Sequence, residues 1–218
     1  MSVPLPTART GGQILIQALR QQQVRHVFCV PGESYLSALD ALHDAADITT
    51  VVCRHEGGAA MMAEACGKLT GRPSVCFVTR GPGATNAASG IHVAAQDSTP
   101  LVLLIGQVSR DALGREAFQE IDYGLFYNAL AKHVEQVHDV TRLPEVMSRA
   151  FHTACNGRPG PVVVVLPEDV LSDSAQVVDL PEYHRLHSEP APADMARFAT
   201  LLANARQPVL LAGGRNWS

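Results

Sequence analysis

The sequence predicts an α/β fold: a parallel sheet of about six strands with helices on both faces, followed by the start of a second α/β domain. Three observations carry this. Short apolar runs alternate with segments of helical period along most of the chain. Several runs, PVVVVLP above all, are apolar at every position, as strands covered on both faces must be. After them a Pro/Ala-rich connector, HSEPAPAD, precedes a fresh helix-then-strand pattern.

Taken in order, Thr10 is placed to cap a first helix through QILIQALRQQQ, and VRHVFCV (24–30) is the first strand. Ser34 opens a helix through ALDALHDA, followed by the strand ITTVVC (48–53). A small-residue helix from Glu56 to Thr70 leads to PSVCFVT (73–79). A helix over 84–96 leads to PLVLLIG (100–106). A long polar stretch, 106–128, separates it from HVEQV (133–137). A helix over 144–156 and the strand PVVVVLP (161–167) complete a domain spanning 1–185. Residues 186–218 read as linker and truncated start of a central domain, with a helix ending near Ala205 and a strand PVLLAGG (208–214).

Seventeen Lys and Arg against 21 Asp and Glu give a net charge of −4, scattered without blocks, so neither nucleic acid nor an anionic membrane is an expected partner. The beginning, MSVPLPTARTGG, has no secretory or transit pattern, and no run reaches the roughly 18 apolar residues of a membrane span, so a cytoplasmic protein is expected. Five cysteines, Cys29, Cys53, Cys66, Cys76 and Cys155, form no C-x-x-C pair and read as buried reduced thiols. No metal-ligand set is expected.

In a parallel sheet, ligands bind beyond the carboxyl ends of the strands, in the loops entering helices. Four such loops stand out: CVPGES, CRHEGG, TRGPGATN and the 106–128 stretch. The glycine turn Gly81-Pro82-Gly83 lacks the third glycine of a dinucleotide fingerprint, where Asn86 stands, and lacks the lysine of a P-loop. A nicotinamide-linked dehydrogenase is therefore disfavoured. Glu56 opens a helix, where the macrodipole alone would favour an acid. Its neighbours Gly57, Gly58, Ala59, Ala60, Met61, Met62 and Ala63 permit close packing against another surface, which would bury the carboxylate.

The ordered set VPG, RHEGGAAMMAEACGKLTG, TRGPGATNAASGIHVAAQDSTPLVLLIGQV, AFQEID and AKH resembles the N-terminal, pyrimidine-binding domain of thiamine-diphosphate enzymes of the acetolactate synthase and pyruvate oxidase group. The likeness spans residues 12 to 171. It implies that Glu56 hydrogen-bonds N1′ of the cofactor's aminopyrimidine and favours the imino tautomer that deprotonates C2 of the thiazolium, the cofactor then serving as electron sink for a 2-keto acid, with pyruvate the expected substrate. It also implies cofactor contacts from Pro31, Gly32, Thr79, Pro82, Gly83 and Asn86, and substrate contacts from Phe118, Gln119 and Lys132. Plain alternatives stand beside the last three: a core phenylalanine, a solvated glutamine and a surface lysine. His92 is expected between helix and sheet. Arg54, His55 and Arg80 flank the site as either ion-pair partners or substrate contacts.

The resemblance assigns diphosphate and Mg2+ to a domain outside these 218 residues, which lack its Gly-Asp-Gly motif, and leaves FAD use open. It implies a homodimer or homotetramer, with the small-residue helix near an interface, and a fragment inactive alone. Acetolactate synthase-like decarboxylation and carboligation is the leading activity; oxidase, decarboxylase and acetyltransferase activities, or a non-catalytic ligand-binding homologue, are the alternatives. Glu33, Ser34 and Tyr35 depart from the small residues usual after the first Pro-Gly, placing an acid and an aromatic near the pocket.

Overall fold

The structure, a computed structural model, describes residues 7–186 and 188–211. The chain divides after His184 into two compact units. In the first, β1 (Arg9–Thr10) leads into α1 (Gly11–Gln21), β2 (His26–Cys29), a 3-10 turn at Glu33–Tyr35 and α2 (Leu36–His43). Then come β3 (Thr49–Val52), α3 (Glu56–Thr70), β4 (Ser74–Val78), α4 (Pro82–Gln96), β5 (Leu101–Gln107), α5 (Tyr123–Tyr127) and β6 (His133–Gln136). Helix α6 (Leu143–Cys155), β7 (Pro161–Pro167), α7 (Glu168–Ser172) and β8 (Ser174–Ala175) complete the unit, and the second holds α8 (Pro192–Asn204).

Six strands form one parallel sheet in the order β3-β2-β4-β5-β7-β6, with Val75 beside Val27, Ile105 beside Val78 and Val165 beside Ile105. The apolar runs explain the order: β4, β5 and β7 are buried at every residue and occupy the middle, while the mixed TTVV and HVEQ lie at the edges. Two hydrophobic cores flank the sheet. One packs α1, α2, α6 and α7 on one face. The other packs α3, α4 and the α5 tyrosines on the opposite face. Tyr35 and Phe77 stack in the first core, centroids 4.0 Å apart.

Thr10 caps α1 as expected, accepting from Gln13 N–H while the Gln13 side chain accepts from Thr10 N–H. Ser34 does not cap a helix. Its hydroxyl lies 2.8 Å from Thr79 Oγ1 and accepts from Arg80 N–H, so that end of the segment tightens into a 3-10 turn. Helix α4 starts at Pro82, two residues before the expected 84, because a proline at the first helical position costs no hydrogen bond. Pro208 to Leu211 form no strand; an isolated extended segment has no ladder partner to hold it. The rest of PVLLAGG, 212–214, lies outside the described residues.

Cys29, Cys76 and Cys155 are buried and Cys53 and Cys66 half-buried, all five free of disulfides. Burial pushes the Cys29 thiol up to about 11 and Cys76 further, leaving both protonated. Among the described residues no helix is long and apolar enough to cross a membrane.

Candidate active site

Because the six strands run parallel, the loops after β2, β3, β4 and β5 leave from one edge of the sheet. His55, at the end of the β3 loop, caps α3 by accepting from Gly57 N–H at 3.0 Å, which makes Glu56 the first helical residue. Helices α3 and α4 approach closely. A Cβ on Gly90 would lie 2.5 Å from Ala60 Cβ and 2.7 Å from its backbone carbon, so only glycine fits that crossing. The crossing brings Asn86, one turn into α4, to Glu56, where Nδ2 donates to Oε2 at 3.0 Å.

The glycine turn supplies the other wall. Gly81 has φ +54°, in the left-handed region, and its N–H donates to the Tyr123 hydroxyl at 2.8 Å. Burial pushes that hydroxyl up to about 12, which keeps it neutral as an acceptor. Thr79 fills the space that Gly32 and Gly83 leave: a Cβ at either position would meet its side chain at 2.5 Å or 2.8 Å. A Cβ on Gly83 would also lie 3.4 Å from Glu56 Oε1, so the carboxylate sits over the start of α4.

Glu56, Gly32, Thr79, Gly83 and Asn86 are thus gathered at one edge, with Pro31 and Pro82 exposed beside them. Glu56 is half-buried rather than buried in the single chain. Gln119 joins the group, packed against Gly81. Phe118 is 73% exposed, which removes the core alternative for it.

Lys132 is not part of this group. It precedes β6, at the amino edge of the sheet, and its ammonium donates to the carbonyls of Thr153 and Asn156 at the end of α6. Lys132→Met should lower stability by about 0.3–1 kcal/mol, the usual worth of a cation at a helix C-terminus, which a denaturant titration checks. His92, expected between helix and sheet, is exposed. The Tyr35 ring is fully buried against Phe77 with its hydroxyl donating to Val30 O, so it packs the core rather than offering a ring to ligand. Arg80, one of the flanking residues, is ion-paired to both Glu33 and Glu168, and His55 is a helix cap. Two buried features escaped the sequence reading. Glu64 accepts from Thr99 Oγ1 at 2.8 Å, and Tyr123 receives the Gly81 N–H; both sat in patterns that read as ordinary helix and loop.

The site therefore offers a carboxylate on a helix N-terminus, one oxygen held by an amide and the other beside backbone cleared by glycines. That donor set fits a flat heterocycle presenting a ring N–H, as the aminopyrimidine of thiamine diphosphate does. Among the described residues no three His, Cys, Asp or Glu side chains gather as a metal site.

Comparison with known proteins agrees. A family model described as thiamine pyrophosphate enzyme, N-terminal TPP binding domain, matches residues 9–125. The acetolactate synthase isozyme 2 large subunit of Escherichia coli (strain K12) is 40% identical over 206 residues, 94% of this chain and 37% of that protein. A chloroplastic acetolactate synthase 3 of Brassica napus and a probable acetolactate synthase large subunit of Methanocaldococcus jannaschii are each 38% identical over 212 residues, 94% of this chain and 32% and 36% of theirs. The chain spans about a third of the length of these relatives. With more than half of its residues inside the family model and the carboxylate, amide and glycine turn assembled at one edge, the chain belongs to the thiamine pyrophosphate enzymes, as their N-terminal cofactor-binding domain.

Proposed function

We propose that this chain is the cofactor-activating part of a longer enzyme that decarboxylates a 2-keto acid, pyruvate, and joins the product to a second 2-keto acid, as acetolactate synthases do. The observation that carries the reading is the Glu56 carboxylate, one oxygen accepting from Asn86 and the other beside the space that Gly83 leaves where a side chain would stand. When bound, thiamine diphosphate supplies the electron sink for loss of CO2. Glu56 holds the proton of the ring nitrogen N1′, with Oε1 the oxygen left to accept it. Asn86 fixes the carboxylate's rotation. Pro31, Gly32, Thr79, Pro82 and Gly83 wall the ring, and Phe118 and Gln119 meet the 2-keto acid.

In this reading diphosphate and Mg2+ are held by a domain beyond these residues, with FAD a further cofactor of the intact protein, and residues 186–218 open the central domain. The site is completed in a cytoplasmic homodimer or homotetramer. Supporting this is the outer stripe of α3, where Gly58, Met61, Met62, Ala65 and Leu69 are exposed at helical spacing, Leu69 at 88%. The test is an assay of the intact protein with pyruvate, thiamine diphosphate and Mg2+, following CO2 and the acyloin product together. Both should appear and both should require thiamine diphosphate. Pyruvate and other 2-keto acids left unconsumed would reject the reading, and CO2 without a joined product would reassign it to a decarboxylase.

A further inference from the structure

Arg80 carries a cluster that cofactor activation at Glu56 does not use. It lies between Thr79 and Gly81, and its side chain is 9% exposed. A buried guanidinium needs its donors engaged by charge and by hydrogen-bond acceptors. Here they reach three other segments, those that follow β2, β5 and β7. One terminal nitrogen donates to Glu33 Oε1 at 2.7 Å, the other to Glu168 Oε2 at 3.3 Å, and Nε to the Phe118 carbonyl at 3.2 Å. The acids keep their outer edges in water, at 66% and 44% exposure, so the cation is covered while its partners stay hydrated. Only a planar fork serves acceptors in three directions at once; a lysine ammonium on the same stem would not span them.

Two of these anchors adjoin residues named at the site. Glu33 follows Gly32, and the Phe118 carbonyl belongs to the peptide that leads into Gln119. Gln119 sits at φ +63°, a left-handed conformation that a non-glycine residue keeps only where its surroundings hold it. Those surroundings are specific. Gly81 leaves the space into which Gln119 packs, since a Cβ there would lie 2.6 Å from Gln119 Cβ. Glu120 accepts from the N–H groups of Gly114 and Ala117, which folds the rest of the loop on itself. The Phe118 ring, by contrast, stays exposed on this pinned backbone. An exposed aromatic on a held peptide is arranged for contact with something outside the chain's own core.

We propose that Arg80 is a positioning residue that locks the Phe118–Gln119 peptide against the Gly81 turn, so that it governs capture of the 2-keto acid and not activation of the cofactor. This rests on the reading of Glu56 given above. The test compares Arg80→Gln and Arg80→Lys with the parent in the intact protein loaded with thiamine diphosphate and Mg2+. The dissociation constant for thiamine diphosphate should stay within about threefold, since the Glu56 and Asn86 contact is untouched. For pyruvate, kcat/KM should fall by about 100-fold, the scale of a displaced positioning group, with KM taking the larger share. Hydrogen exchange, which needs no turnover, should quicken by about tenfold or more at the amides of 113–122 and stay unchanged over 56–70. If Arg80→Gln does not fold, Arg80→Lys and Glu33→Gln carry the same comparison with smaller changes of the same sign.

Parent-like kcat/KM and exchange would overturn the proposal, and so would a loss of cofactor affinity in step with kcat/KM, which would make Arg80 a general brace of the sheet edge. A parent protein without thiamine-dependent turnover would overturn the proposed function instead. The lock on 113–122 would then stand or fall on hydrogen exchange alone.

Discussion

Glu56→Gln should lower thiamine-dependent turnover of the intact enzyme by about two to four orders of magnitude, the scale of lost acid–base assistance. The amide matches the carboxylate in size, and α3 keeps its His55 cap, so the fold should be unaffected. What changes is the proton. A carboxylate oxygen accepts a ring N–H and shares its proton, whereas an amide nitrogen presents a donor to the same atom. Asn86 sharpens the effect, because its Nδ2 already donates to Oε2 and would select the amide oxygen for that contact, turning the amide nitrogen toward the ring. Steady-state kinetics with saturating cofactor measure the loss. Turnover within tenfold of the parent would remove Glu56 from the mechanism.

The second large effect is on folding. In the interior of a helix, replacing glycine by leucine ordinarily stabilises by about 1 kcal/mol. At Gly90 the sign should reverse, because the new Cβ would sit 2.5 Å from Ala60 Cβ and 3.0 Å from Met61 N, and a helix backbone cannot swing aside as a side chain can. Overpacking of that kind costs about 1–3 kcal/mol, with direct contact on the main chain at the upper end. Gly90→Leu should therefore lower stability by about 2 kcal/mol and the melting temperature by roughly 4–8 °C, read by circular dichroism on heating. It should also lower kcat by about tenfold or more, since the helices that part here are the two that hold Asn86 to Glu56. The contrast lies on α3 itself, at Gly58, where a Cβ would meet nothing within 4 Å. An unchanged melting curve for Gly90→Leu would mean that the α3–α4 crossing yields without cost.

How much of this was legible beforehand depended on range. Strands β4, β5 and β7 were readable because burial on both faces leaves a nearly unbroken apolar run, a signal that PVLL at 208–211 imitates without forming a strand. Glu56 and Asn86 were both named, each on a helix N-terminal turn, but their contact needed the Gly90 crossing, which no local pattern announces. Helices α5 and α7 went unread. They are five residues each, too short to show a helical repeat, and depend on particular contacts: for one the Asp122 cap on Leu125 N–H and the buried Tyr123 hydroxyl, for the other the pairing of Asp169 with Arg110. Arg80 was seen beside the site, but Glu168 lies 88 residues further on. Lys132 was misplaced for a reason visible in the sequence itself. It stands immediately before a strand, and in a parallel sheet such residues lie at the edge opposite the ligand-binding loops.

One small feature bears on how the first unit meets mechanical load. Strands β1 and β8 pair antiparallel, Arg9 beside Ala175 and Thr10 beside Ser174, with Gly11 N–H donating to Asp173 O and Arg9 paired to Asp179. The incoming and outgoing chain therefore leave this ribbon side by side. Beyond it the outgoing segment stays fastened to the same unit, with Val177 in the core and Gln22 donating to Pro181 O, so a pull on that side should load these clasps before the ribbon.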